Sequence, residues 1–97
     1  MSYHESDIDS QFQKAVRDFR NLNKDIKQED FLNIYGLYKQ SLFGNNDTPK
    51  PWRFLIKSNN KWSAWKDHYG KSKLESKKEY VDLVYNLKKD NMYYLRI

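Results

Sequence analysis

Residues 25–44 read DIKQEDFLNIYGLYKQSLFG. The apolar positions Phe31, Ile34, Tyr38 and Leu42 return every three or four residues, which places them on one side of a helix instead of alternating across a strand. Asp25 with Gln28 three positions on has the form of a capping box, and Gly44 supplies a C′ residue for which positive φ costs little. A second line runs beside that face, with Leu32, Tyr35 and Lys39 at i, i+3 and i+7. An apolar residue, a phenol and an ammonium in a row suit an amphipathic anion such as a phosphorylated lipid conjugate. A boundary tyrosine beside a lysine that snorkels to water would leave the same pattern.

Working outward, Ile8, Phe12, Ala15, Val16, Phe19 and Leu22 recur at three- and four-residue steps and predict a first helix with one apolar stripe. After Gly44 comes NNDTPKPWRFLIKSN, residues 45–59, whose two prolines forbid a regular helix early on. A third helix is expected from Asn59 or Asn60, with Trp62, Trp65 and Tyr69 on one side and Gly70 at its end. Ser72-Lys-Leu-Glu75 is a second capping box and opens a fourth helix. That helix should turn Tyr80, Val81, Val84 and Leu87 inward and Lys77, Lys78, Asp82 and Lys88 outward. MYYLRI, residues 92–97, is apolar enough to dock back on the bundle. The best strand candidate, Phe54 to Ile56, is only three residues long. The fold expected is all-α: four helices in a single domain over residues 1–97.

The chain has no cysteine, which excludes disulfides and thiolate metal sites. It has no apolar run of membrane-spanning length, and MSYHESDIDS lacks the apolar core of a signal peptide. A soluble, cytoplasmic protein without stable membrane insertion is the expectation. Eighteen Lys and Arg against thirteen Asp and Glu give a net charge of +5, which favours an anionic partner without choosing its class. The excess is almost all lysine, a bias that A/T-rich codons alone could produce. Three Trp, eight Tyr and five Phe say more, because rings must supply much of the burial. Signals for catalysis are weak. His4 and His68, both expected at the surface, have neither a Cys partner nor HExxH spacing, and there is no glycine-rich phosphate loop or tuned carboxylate pair. Neither a metal nor a cofactor is expected.

The string LNIYGLYKQSLFGNND, residues 32–47, closely resembles the Y-x-x-Y-K-Q-A-T-x-G-D pattern of acyl-CoA-binding proteins. KWSAWKDHYGKS, residues 61–72, resembles that family's K-W-x-A-W-x-x-x-x-G-x-S segment. Phe12 to Ala15 matches its F-x-x-A, and Tyr80 its tyrosine eight residues after the serine. The likeness runs from about residue 12 to 89 with the family's spacing. It implies a non-enzymatic, up-down-down-up four-helix bundle that holds long-chain fatty acyl-CoA one-to-one as an intracellular carrier and pool former. It further implies a monomer that can pass its ligand to acyl-CoA-using enzymes. Tyr35, Lys39 and Lys61 match the residues that hold the 3′-phosphate of CoA. Tyr38 and Tyr80 match further binding tyrosines, Lys57 another ligand contact, and Arg20 a position where the family usually has lysine near the nucleotide. Phe12, Ala15, Phe31 and Leu32 would line the acyl-chain groove. The chain departs from the pattern at Asn45, at Lys50-Pro51-Trp52, at Leu74, Ser76 and Lys77, and at Phe31.

Two other classes compete with this reading. A small basic helical domain that binds nucleic acid would share the charge and the rings, but would gather its lysines on one helix face; the lysines of this chain are spread along all four helices. A protein-interaction bundle needs no ligand and leaves Tyr35, Lys39, Lys61 and Tyr80 as coincidence.

Overall fold

The computed structural model describes the backbone of residues 5–96 and the side chains of residues 7–89. Four helices follow one another: α1 (Glu5–Arg20), α2 (Gln28–Phe43), α3 (Ile56–Lys66) and α4 (Lys73–Arg96). They form an up-down-down-up bundle in which α2 packs against both α3 and α4, and α1 packs on α4. No strand occurs among the described residues; residues 53–54 form a turn, and Ile56 already belongs to α3. The expected placement of His4 and docking of residues 92–97 lie outside the described side chains.

The first stripe folds as its periodicity requires. Ile8, Phe12, Ala15 and Val16 are buried and Phe19 packs against them; Leu22 packs there too, but from beyond the end of α1 at Arg20 and not from the helix as expected. Tyr80, Val84 and Leu87 of α4 complete the core, with Val81 at its margin. Lys77 and Lys88 depart from the expected outward face. They are half-buried and clasp α1 through Asp9 at 2.6 Å and Asp18 at 2.9 Å. Their stems lie along apolar surface while the ammonium reaches the neighbouring helix. Asp18, which also accepts from Lys14 at 2.8 Å, is held below the ordinary carboxylate range by those two bonds.

In α2 the buried face differs from the expected one. Ile34, Gly36, Leu37, Gln40 and Ser41 are buried, whereas Phe31 and Leu42 are exposed. The cause is that α2 has two helical neighbours, so its contact surface is broad and includes small and polar residues. At Gly36 a Cβ would lie 2.2 Å from the Ala64 carbonyl oxygen, so glycine permits the close approach of α2 and α3. Gln40 Nε2 donates to the Lys71 carbonyl at 2.8 Å and to Asn45 Oδ1 at 3.0 Å, tying the end of α2 to the start of α4.

The helix ends are mixed. Ser72 Oγ accepts from the Glu75 N–H at 3.0 Å, as the capping box predicts. Gly44 has φ +76°, and its N–H donates to the Gln40 carbonyl. Asp25 caps nothing: the residue before α2 is Lys27, without a side-chain cap bond. The third helix starts earlier than expected, at Ile56, and ends at Lys66 in a turn that reaches Gly70. The loop between α2 and α3 is fastened by rings. Trp65 Nε1 donates to the Gly44 carbonyl at 2.8 Å and Trp62 Nε1 to the Thr48 carbonyl at 3.0 Å. Asn46, fully buried, donates to the Trp62 carbonyl and accepts from Thr48.

Candidate functional site

Tyr80 anchors the site. Its ring meets Phe12 edge-on at 5.0 Å and lies 6.3 Å from Tyr38, which stacks on Phe12 at 6.2 Å. These rings, one from each of α1, α2 and α4, fill the core between the three helices. Burial pushes the Tyr80 phenol up to about 12, with Tyr38 adding to the rise and Arg20 opposing it. The hydroxyl therefore stays protonated and can donate to an anion.

Above this cluster a groove of about 210 Å³ is lined by Val16, Phe19, Arg20, Phe31, Ile34, Tyr35, Tyr38 and Tyr80. Its walls are mostly apolar, with three phenols and one guanidinium among them. It is smaller than the ~300–1,000 Å³ of a site that encloses a small molecule, so it suits a ligand held along the surface.

Cations stand at the groove from both α2 and α3. Lys61 Nζ sits 5.4 Å from the centre of the Tyr35 ring, and Lys39 Nζ lies over the rings of Phe43 at 4.5 Å and Trp65 at 4.8 Å. Tyr35 and Lys39 are one turn apart on α2, and Lys61 and Trp65 one turn apart on α3. The two contacts therefore cross-link facing turns. Lys57, exposed, stands one turn before Lys61.

The structure thus brings Arg20, Phe31, Tyr35, Tyr38 and Tyr80 into one groove, with Lys61 on its edge. Lys39 adjoins through Tyr35 and Trp65. Phe12 and Ala15 are buried in the core instead, and Val16 and Phe19 take the places on the wall expected of them. Leu32 faces a second hollow of about 530 Å³, shared with Glu29, Asp30, Asn33, Asn60, Asp67 and His68. Its three carboxylates disfavour a polyanion. His68 stands at the surface, half-buried: one ring nitrogen pairs with Asn33 Oδ1 and the other with Lys71 Nζ, both at 3.1 Å. Burial, and then the Lys71 charge, lower its pKa. No group of three or more His, Cys, Asp or Glu placed to hold a metal occurs among the described residues.

The family model described as "Acyl CoA binding protein" matches residues 9–84. The chain is 40% identical over 76 residues to acyl-CoA-binding protein 2 of Saccharomyces pastorianus, covering 78% of this chain and 87% of the relative. It is 36% identical over 80 residues to the Drosophila melanogaster acyl-CoA-binding protein homolog, covering 82% and 93%. Its backbone matches the crystal structure of Oryza sativa acyl-CoA-binding protein 2 with a TM-score of 0.86 at 35% identity, over 89% of this chain and 96% of that one.

Proposed function

The chain belongs to the acyl-CoA-binding protein family, and from that premise we propose that it holds one long-chain fatty acyl-CoA and acts as a cytoplasmic carrier and pool former. One observation carries the assignment of residues: three phenols and a guanidinium share an apolar groove whose edge bears Lys61. The acyl tail lies on Val16, Phe19, Phe31 and Ile34, and Leu32 extends the apolar surface beyond Phe31. Tyr35, Lys39 and Lys61 hold the 3′-phosphate, with Lys57 beside them, and Arg20, Tyr38 and Tyr80 contact the rest of the head.

The energetics favour this division. A phosphate monoester carries about two negative charges near neutrality. Each charge-assisted bond contributes ~1.5–3 kcal/mol, more than the ~0.5–1 kcal/mol of an exposed cation–π contact. The phosphate can therefore draw Lys39 and Lys61 off their rings. Burying about 14 methylenes at ~0.8 kcal/mol each sets a ceiling of ~11 kcal/mol, lowered by chain ordering and partial enclosure. The tail then dominates affinity and the head fixes identity. The protein works by stoichiometric sequestration as a monomer, performs no reaction of its own, and releases its cargo to acyl-CoA-using enzymes.

Calorimetric titration tests this. A C14–C18 acyl-CoA should bind far more tightly than CoA alone or the free fatty acid. Equal affinity for the acid and its CoA ester would reduce the chain to a general lipid binder.

A further inference from the structure

Residues 48–66 hold five cations, Lys50, Arg53, Lys57, Lys61 and Lys66, and no Asp or Glu. Five is also the net charge of the whole chain, so the thirteen remaining Lys and Arg are balanced by the thirteen acids. The stretch from Thr48 to the end of α3 therefore carries a local positive charge as large as the net charge of the whole chain. The same loop turns apolar side chains to water: Trp52, Phe54 and Ile56 are 74%, 72% and 69% exposed. The Trp52 and Phe54 rings lie 6.0 Å apart.

This exposure is held in place by the loop's own bonding. The Leu55 N–H donates to the Trp52 carbonyl at 2.9 Å, closing a tight turn. Asn59 Nδ2 donates to the carbonyls of Trp52 at 2.6 Å and Leu55 at 3.0 Å, and the Trp62 indole fixes the base of the loop through Thr48. These bonds fix the backbone from which the two rings project.

We propose that this loop is a peripheral docking site for an anionic lipid bilayer. Trp52, Phe54 and Ile56 enter the boundary between headgroups and acyl chains, where aromatic side chains are favoured. Lys50, Arg53 and Lys57 meet the lipid phosphates. A bilayer fits the patch better than a protein partner does, because a convex turn of three apolar side chains offers much less than the ~800 Å² per partner of a stable interface. Docking is peripheral, since no helix among the described residues is long and apolar enough to cross a membrane. The loop runs directly into the helix that carries Lys57 and Lys61, so a docked molecule keeps its groove beside the lipid surface. The proposal does not depend on which ligand the groove takes.

Co-sedimentation of the full chain with phosphatidylcholine vesicles, made with and without phosphatidylserine, tests it. Each cation near an anionic surface favours binding about fivefold, so three predict roughly a hundredfold preference for the anionic vesicles that weakens with salt. Trp52→Ser with Phe54→Ser should lower partition onto them by at least about tenfold while melting temperature stays unchanged. Arg53→Glu, which leaves the rings intact, should also weaken it. Absence of binding to anionic vesicles, or equal binding by the Trp52/Phe54 variant, would overturn the proposal. A loop-dependent dimer in sedimentation equilibrium without vesicle binding would also overturn it, and would assign the patch to a second copy of the chain.

Discussion

Tyr35 shares its groove wall with Ile34 and carries the Lys61 ammonium on its ring, so it could serve packing and binding together. Tyr35→Phe separates the two roles because it removes only the hydroxyl. Under the proposed assignment the variant melts as the parent does and loses about 1.5–3 kcal/mol for acyl-CoA. It loses little for acyl-3′-dephospho-CoA, which has no 3′-phosphate to bond. Comparing the two ligands completes a double-mutant cycle in which the ligand supplies the second change. The lysines separate a defined site from net charge. Lys39→Ala and Lys61→Ala should each weaken binding by about 2 kcal/mol, whereas Lys89→Ala, exposed over the Tyr85 ring on α4, should change little. Three equal losses would mean that only overall charge is felt.

At the scale of the elements, the seam between α2 and α3 depends on Gly36. Alanine would gain helix propensity worth about 1 kcal/mol, but its methyl would drive into the Ala64 backbone. Forcing the helices apart should cost more, for a net loss of about 1–3 kcal/mol in denaturant unfolding. Ser72→Ala should cost about 1 kcal/mol through the lost cap. His68 fastens the turn after α3 to Asn33 and Lys71, and its folded pKa lies below the ordinary 6.5. The unfolded chain therefore binds this proton more readily. The His68 contribution is complete above about pH 6.5 and is lost as pH falls toward the folded value. Melting temperature should drop between about pH 7 and pH 5, and His68→Gln should flatten that part of the profile. Periodicity and capping chemistry made α1 and α4 legible in the sequence. They did not reveal Gly36, Gln40 or Asn46, whose roles depend on partners from 16 to 31 residues away. An isolated glycine inside a helical pattern was the one local sign of the close approach. The start of α3 was hidden by Phe54 to Ile56, an apolar run too short for its period to be read.

For the whole molecule, the chain's words came closest to the site where they encode contacts within one helix and furthest from it where helices meet. The Tyr35 to Lys39 spacing and the KWSAW segment placed the phenol and both lysines on neighbouring helices, and the structure joins those helices at Lys61 and Trp65. The groove wall was less legible. Phe12 and Ala15 lie on the α1 stripe with Val16 and Phe19, and only the angle at which α1 meets the bundle decides which pair is buried. On the proposed assignment one acyl-CoA occupies the groove bridging α1, α2 and α4, with Lys39 of α2 and Lys61 of α3 on its phosphate. A two-dimensional amide NMR titration with a long-chain acyl-CoA tests this most directly. Saturation is expected at one equivalent, with the largest shifts at Arg20, Phe31, Tyr35, Tyr38, Lys39, Lys61 and Tyr80; shifts that continue past one equivalent, or that centre on Asp30, Asn60, Asp67 and His68, would contradict this placement of the ligand.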